Sequence, residues 1–184
     1  MKVTLLGDSI RLIGYGTLFP EILGEGFEVF QPQDNCRWAK YTLWGLSDWN
    51  DAMSGTEIVH WNNGIWDCSD RFGDGPFTPV EDYVRDMCRV ADVLLKRYPR
   101  VIFATSTPSN GDDRETANAR IREYNAAVVP ALKAKGILIN DLYSLVEADL
   151  DGNICEDKLH LSEKGIRLCA EQTARIIKET AKTL

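Results

Sequence analysis

The sequence predicts an α/β protein in which helices cover both faces of a parallel sheet. Two observations predict it: five short apolar runs of strand length recur along the 184 residues, and amphipathic helical patterns separate them. Strands buried on both faces read as continuous apolar runs, and the connecting helices form the outer layers. Repeats, low-complexity tracts and linkers are absent, so we expect a single domain over residues 1–184, a three-layer α/β/α sandwich.

The predicted strands are each three to five residues long and end in turn-forming residues. They are expected at 2–6, 27–30, 57–61, 101–105 and 137–139. The third, for example, is closed by Asn62-Asn63-Gly64, residue types that favour turns. In such sheets the ligand crevice lies beyond the carboxyl ends of the strands. The loops to consider are therefore those that follow the strands, together with the loop before His160.

Helix start signals and apolar stripes mark the segments between the strands. Thr78-Pro79-Val80-Glu81 begins the clearest helix, with threonine at the N-cap, proline at the first helical position and glutamate completing a capping box. Ser162 is predicted to cap the last helix. Other helical segments are expected at 12–23, where glycine and proline break the pattern, and at 38–53, 114–134 and 141–148. Polar loops are expected at 67–77, 107–113 and 149–159.

Charge and hydropathy exclude several classes of partner. The formal net charge of -7 disfavours nucleic acid and acidic membrane surfaces, because the summed field repels polyanions. No run of about 18 apolar residues is present, so no membrane span is predicted. No signal-peptide pattern is visible, since Gly7-Asp8 interrupts the first apolar run. We therefore expect a cytoplasmic location, with a removed leader left open.

Cysteine and histidine usage narrows the chemistry further. The five cysteines have scattered spacings and form no Cys-x-x-Cys pair, so we expect reduced, mostly buried thiols and neither a metal site nor a cofactor. Only two histidines are present. His60 lies inside a predicted strand with no carboxylate shortly after it, which favours a structural role. His160 is therefore the better candidate for a catalytic base.

A serine follows the first strand at Gly7-Asp8-Ser9. A serine at a strand-to-helix turn can reach a substrate carbonyl from the crevice, while its own backbone N–H points at the oxyanion that forms. The other interpretation is an ordinary turn in which serine caps a helix. The tripeptide alone does not decide between the two.

Asp157-x-x-His160 supplies the groups that a catalytic serine needs. One short loop can present both side chains, so that the carboxylate holds one imidazole nitrogen while the other faces the serine hydroxyl. Alone, these two residues would read as surface groups of a loop. Combined with the serine turn and the parallel-sheet pattern, they predict a triad of Ser9, His160 and Asp157.

These two end segments resemble the SGNH/GDSL hydrolase family. Gly7-Asp8-Ser9-Ile10 matches the first family block, which carries the nucleophile, and Asp157-x-x-His160 matches the last, which carries the acid and the base. The resemblance implies a flavodoxin-like topology and a metal-independent carboxylic ester hydrolase that works through an acyl-enzyme without a cofactor. The partner it implies is a small-molecule ester, and the oligomeric state is left open.

The two middle blocks depart from the family pattern. Where the family has a glycine whose N–H binds the oxyanion, this chain has Asn35-Cys36-Arg37-Trp38, and we expect the N–H of Arg37 to serve instead. Gly45 is the alternative, although it lies inside a predicted helix. In the third block, Gly64-Ile65-Trp66-Asp67 has tryptophan in place of an asparagine. Asn62 is the expected replacement for that amide, with Asn63 as the alternative. Both amides could instead satisfy loop backbone.

All five tryptophans lie between residues 38 and 66. We expect Trp38, Trp66 and Asn63 to contact the substrate, although aromatic clusters are more often part of a core. A small acyl ester is the expected substrate, with acetyl on a carbohydrate as one option. The altered middle blocks keep a second hypothesis open, in which the chain is a catalytically weak or inactive protein that binds a carbohydrate or another small molecule.

Overall fold

The computed structural model describes residues 1–184 and contains one sheet of five parallel strands. The strands are β1 (Lys2–Leu6), β2 (Glu28–Phe30), β3 (Thr56–Asn62), β4 (Arg100–Ala104) and β5 (Leu138–Asn140). Every neighbouring pair is parallel, in the order β2-β1-β3-β4-β5. The predicted α/β class and the flavodoxin-like strand order are thus confirmed.

The helices pack into two groups, one for each face of the sheet. They are α1 (Phe19–Leu23), α2 (Ala39–Asp48), α3 (Ile65–Cys68), α4 (Val80–Arg97), α5 (Arg114–Ala134), α6 (Leu142–Glu147), α7 (Leu150–Asn153) and α8 (Glu163–Ala181). α4 packs against α2 and α5, whereas α8 packs against α1, α6 and α7. A π-helical turn at Ile10–Gly14 and a 3₁₀ turn at Tyr15–Thr17 precede α1. No helix combines the length and the apolar composition that a membrane span requires.

The core lies on both faces of the three central strands β1, β3 and β4. Leu5, Ile58, Trp61 and Phe103 are fully buried there, and the Trp61 and Phe103 rings pack with centroids 5.1 Å apart. Burying one such side chain stabilises the fold by roughly 1.5–3 kcal/mol. Because the strand order reverses between β1 and β3, the loops that follow these two strands diverge and leave a crevice between them.

Local details correct some of the sequence predictions. The predicted capping box at Thr78 is wrong: α4 begins at Val80 after an extended Pro79 and has no side-chain cap. The N–H of Thr78 instead donates to the carbonyl of Asp67 at 3.0 Å, which holds Thr78 in the preceding loop. The helix predicted over 38–53 ends at Asp48 and continues as turns. The loops predicted at 67–77 and 149–159 overlap or contain the single helical turns α3 and α7. The Ser162 cap is confirmed, since its hydroxyl accepts the N–H of Gly165.

Candidate active site

The turn after β1 places Ser9 at the start of a helical segment. The Asp8 carboxylate accepts the N–H of Ile10 at 3.0 Å, and its carbonyl accepts the N–H of Leu12 at 2.9 Å. The N–H of Ser9 has no acceptor within the protein. Gly7 is required here, because a Cβ at this position would lie 2.0 Å from Oδ1 of Asn62. The turn therefore presents both the hydroxyl and a free N–H of Ser9.

The structure brings Ser9, His160 and Asp157 together in one hydrogen-bonded row. Ser9 Oγ lies 2.9 Å from His160 Nε2, and His160 Nδ1 lies 2.6 Å from Asp157 Oδ2. The His160 side chain is 26% exposed, so the imidazole is open to the surface on one side. Serine and histidine are 151 positions apart in sequence, and the parallel sheet closes that separation.

Local contacts fix the loop that carries the acid and the base. Oδ1 of Asp157 accepts the N–H groups of Leu159 and His160 at 2.9 and 2.8 Å and the thiol of Cys155 at 3.2 Å. Burial raises the pKa of Asp157, but these donors and the imidazole outweigh it and hold the pKa well below the ordinary aspartate value. Lys158 has a φ of 68°, which gives the tight turn between the two residues. The carboxylate is thus ionised and aimed at Nδ1.

A cavity of about 350 Å³ opens in front of Ser9 and His160. Half of its ten lining residues are apolar. The wall consists of Ser9, Leu12, Ile13, Asn35, Ile65, Trp66, Ser69, Arg71, Leu159 and His160. Of the predicted substrate-binding residues, Trp66 therefore lines the cavity, whereas Trp38 and Asn63 do not.

The loop after β2 packs directly on the serine turn. The N–H of Cys36 donates to Gly7 O at 3.0 Å, and the N–H of Gly7 donates to Cys36 Sγ at 3.2 Å. The N–H of Arg37, the predicted oxyanion donor, donates instead to Asn35 Oδ1 at 2.8 Å. Arg37 adopts a left-handed φ of 45°, uncommon for a residue with a side chain. Its guanidinium lies 4.4 Å over the Tyr41 ring, outside the cavity wall.

The two asparagines at the end of β3 lie behind the cavity and not in its wall. Asn62 Nδ2 donates to Asp8 Oδ1 at 2.9 Å, and Asn63 Nδ2 donates to the carbonyl of Arg37 at 2.7 Å. Both side chains are buried. Their amides therefore hold the serine turn and the loop after β2 in place. The oxyanion role expected of Asn62 stays a prediction, and its amide faces Asp8 in this structure.

A buried polar chain extends from Asn62 across the sheet. Tyr15 donates to Asn62 Oδ1 at 3.0 Å and faces His60 Nδ1 at 3.5 Å. On the other side of the ring, Asn140 Nδ2 lies 3.1 Å from His60 Nε2. Burial lowers the pKa of His60 to about 3, so this imidazole is neutral. Asp8 lies at the opposite end of this row of buried polar groups, where it accepts from Asn62, and burial raises its pKa to about 6.

Sequence reasoning missed Arg11, which joins the two loops beside Ser9. Its buried guanidinium donates to the carbonyls of Gly7, Pro32 and Asp34 at 2.7–3.0 Å. The only local signal was an arginine within the first helical turn after the serine. Asp67 was also missed as a tether: it accepts the N–H of Ala39 at the start of α2, and burial raises its pKa to about 7.

Aromatic rings continue outward from the cavity wall. Trp66 packs edge-on against Trp38 at 5.5 Å, Trp38 lies 6.2 Å from Phe77, and Phe77 lies 6.2 Å from Phe72. Phe72 is 80% exposed. We call these four rings the aromatic strip. It leads from the cavity to open surface along the loop that follows α3.

Comparison with known proteins supports the family resemblance. No family model matches the chain. Over 122 residues it is 31% identical to the GDSL esterase/lipase WDL1 of Oryza sativa subsp. japonica and 30% identical to the GDSL esterase/lipase CPRD49 of Arabidopsis thaliana. Each match covers 58% of this chain, and it covers 47% and 48% of those proteins. The chain thus matches about half the length of these curated relatives.

Solved structures share the fold at low sequence identity. The acetyl xylan esterase AlAXEase has a TM-score of 0.81 at 18% identity, covering 96% of this chain and 100% of that one. The acetylxylan esterase Axe2 from Geobacillus stearothermophilus has a TM-score of 0.79 at 15% identity, covering 95% and 92%. A lipolytic protein of the G-D-S-L family from Veillonella parvula has a TM-score of 0.76 at 18% identity, covering 97% and 98%. These structures share the fold, and the curated relatives confirm the resemblance to SGNH/GDSL hydrolases.

Proposed function

We propose that this chain is an SGNH/GDSL-type hydrolase domain over residues 1–184 that cleaves a small acyl ester through a covalent serine intermediate. The single observation that carries the proposal is the row of hydrogen bonds from Asp157 through His160 to Ser9, at the wall of an open cavity. Nucleophile, base and orienting acid within hydrogen-bonding reach of one another are the arrangement that activates a serine.

The proposed reaction has two halves. Ser9 Oγ attacks the ester carbonyl as His160 Nε2 takes its proton, and the free N–H of Ser9 binds the oxyanion that forms. His160 then protonates the departing alcohol, which leaves the acyl group on Ser9. Water enters, loses a proton to His160 and releases the acid by the same path. Asp157 holds the Nδ1 proton and stabilises the imidazolium in both halves. No step calls for a metal or a cofactor.

The cavity favours a small acyl group. Its volume of about 350 Å³ is near the lower end of small-molecule sites, and Trp66 and Ile13 form part of its wall. Two of the structural relatives are named acetyl xylan esterases. We therefore propose an acetyl ester, with an acetylated carbohydrate as the leading candidate for the alcohol half. The aromatic strip would offer ring faces to a sugar. The cytoplasmic location stays a prediction.

Covalent labelling tests the proposal directly. A fluorophosphonate probe should label the native chain at Ser9, and p-nitrophenyl acetate should be hydrolysed at a rate that a chelator does not change. Ser9→Ala should abolish both signals, whereas Ser47→Ala, on the exposed side of α2, should retain both. An unlabelled native protein that also leaves the ester intact would rule out the esterase.

A binding protein on the same scaffold is the second candidate. Two expected oxyanion donors favour it, because both already donate to protein atoms: the Arg37 N–H to Asn35 and the Asn62 amide to Asp8. Neither is free to bind an oxyanion in this structure. Calorimetry with acetylated oligosaccharides separates the two functions. Binding heat without release of acetate supports the binder, and release of acetate supports the enzyme. Screening acetylated sugars beside short p-nitrophenyl esters would then define the alcohol half.

A further inference from the structure

We propose that the side-chain amide of Asn35 is the second oxyanion donor of this site. The inference rests on the proposed esterase function and assigns one of its parts. It starts from a conflict in the geometry: the donors expected from the sequence, Arg37 and Asn62, point at protein atoms. An ester hydrolase with only the Ser9 N–H would lack a second donor for the tetrahedral oxyanion.

The backbone of the loop after β2 leaves few other choices. The N–H and the carbonyl of Cys36 are taken up by Gly7 and Thr42. The N–H and the carbonyl of Arg37 are taken up by Asn35 Oδ1 and by the Asn63 amide. Each buried backbone group needs a partner, so these four contacts hold the loop rigidly against the serine turn. None of these four groups is left to bind a substrate.

Asn35 is the residue of this loop that lines the cavity together with Ser9 and His160. Its Oδ1 is held by the N–H of Arg37 at 2.8 Å, whereas its Nδ2 and its own backbone N–H have no acceptor in the protein. A side-chain amide is planar, so fixing the oxygen toward the turn directs the NH₂ group away from it. The donor is therefore oriented before any substrate binds.

Apart from His160, two other side chains in the cavity wall carry N–H groups. The Arg71 guanidinium is exposed, and no hydrogen bond or ion pair orients it. The Trp66 indole packs edge-on against Trp38, and its N–H makes no hydrogen bond. Asn35 differs from both because it has one amide atom anchored and the other free, and because its loop packs on Gly7, two residues before Ser9.

Two substitutions separate a donor from a mere cap of the turn. Asn35→Asp keeps an oxygen for the N–H of Arg37 but loses the donor and brings a negative charge toward the oxyanion. Asn35→Ala loses both the cap and the donor without adding charge. As a donor, Asn35 predicts a fall in kcat of about 10²–10³-fold for Asn35→Ala and a larger fall for Asn35→Asp, with KM for p-nitrophenyl acetate little changed. As a cap alone, it predicts that Asn35→Ala loses kcat only together with a lower midpoint of thermal unfolding. The added charge of Asn35→Asp lowers kcat in either case, so a folded Asn35→Ala variant decides between the two roles.

Controls keep this test separate from that of the esterase itself. Asn50→Asp makes the same charge change at an exposed residue after α2 and should leave kcat unchanged. Thermal unfolding of each variant shows whether a lost rate reflects lost fold. Trp66→Phe keeps the ring and removes its N–H, so a large loss there beside an active Asn35→Ala would overturn the inference in favour of the indole. If the native chain neither labels at Ser9 nor turns over ester, the proposed function fails; native turnover that survives in folded Asn35→Ala refutes only the role of Asn35.

Discussion

His60 and His160 each have a polar partner at both ring nitrogens, but the partners and the surroundings differ. His60 lies in central strand β3, fully buried, between the neutral groups of Tyr15 and Asn140. His160 lies on a loop, partly exposed, between the Asp157 carboxylate and the Ser9 hydroxyl. The His60 ring therefore serves as a fixed link in a chain of neutral, hydrogen-bonded side chains.

The comparison shows that charge and access, and not residue type, separate a structural histidine from a catalytic candidate. A base must accept a proton and become an imidazolium, which needs a nearby anion. Burial without an anion lowers the pKa of His60 to about 3, so it stays neutral. Asp157, whose pKa lies below its ordinary value, supplies that anion to His160. Of the two rings, only that of His160 faces a hydroxyl that lines a cavity.

The largest expected effect on kcat comes from removing the imidazole of His160. His160→Gln should lower kcat for p-nitrophenyl acetate on the order of 10⁴–10⁶-fold, because no other base lies beside Ser9. The midpoint of thermal unfolding should move little, since the residue is on a surface loop. Steady-state kinetics and a melting curve on the same preparation check both expectations. A residual activity above one per cent would mean that another group accepts the serine proton.

Asp157→Asn should have the next largest effect. The amide can accept the loop N–H groups but presents no carboxylate to Nδ1, so the imidazole loses the anion that selects its tautomer. A fall in kcat of about 10⁴-fold is expected. Fluorophosphonate labelling, followed over time, should slow in parallel. Glu156→Gln, which changes the same charge at the neighbouring exposed residue, is the matched control, and equal losses in both variants would contradict the assigned role.

His60→Gln should affect stability and leave catalysis nearly intact. At pH 8 the His60 ring is neutral in both the folded and the unfolded chain, so the variant reports only the broken buried hydrogen bonds. The free energy of unfolding should fall by about 1–3 kcal/mol. The kcat per folded molecule should stay within about threefold of the native value. Urea unfolding and kinetics measure the two quantities. A kcat loss as large as that of His160→Gln would contradict the structural role.

The pH dependence of that stability difference provides its second readout. Between the ordinary imidazole value of 6.5 and about 3, the unfolded chain binds a proton at residue 60 that the folded chain excludes. Protonation therefore favours unfolding, and wild-type stability falls as the pH drops through this window by up to about 1.4 kcal/mol per pH unit. Glutamine removes this loss, so the wild-type advantage should shrink from pH 8 to pH 5. Asp8 and Asp67, whose pKa values are raised, contribute equally to both proteins and cancel in the difference.

Much of the architecture could be read from local pattern. β1 was predicted with its observed ends, α5 likewise, and the cap at Ser162 forms as expected. The row of Ser9, His160 and Asp157 could also be anticipated. Ser9 follows a buried central strand, and the Asp-x-x-His loop lies between the last strand and the last helix, so both were expected at the carboxyl edge of the parallel sheet.

The hydrogen-bond partners of the polar side chains could not be predicted from the sequence. Asn62 could be recognised as a polar residue at a strand end, but its partners Asp8 and Tyr15 lie 54 and 47 positions away. Thr78 likewise does not form its expected cap, and its N–H donates to the carbonyl of Asp67, 11 positions earlier.

By itself the sequence determined the α/β class, the serine turn and the acid-base loop, because burial periodicity and short-range spacing are local properties. The tertiary structure alone decided which polar groups point inward and which reach the cavity. A side-chain hydrogen bond depends on where the remote partner is held in space, and Asn35 faces the cavity only because Arg37, Cys36 and Gly7 meet around it.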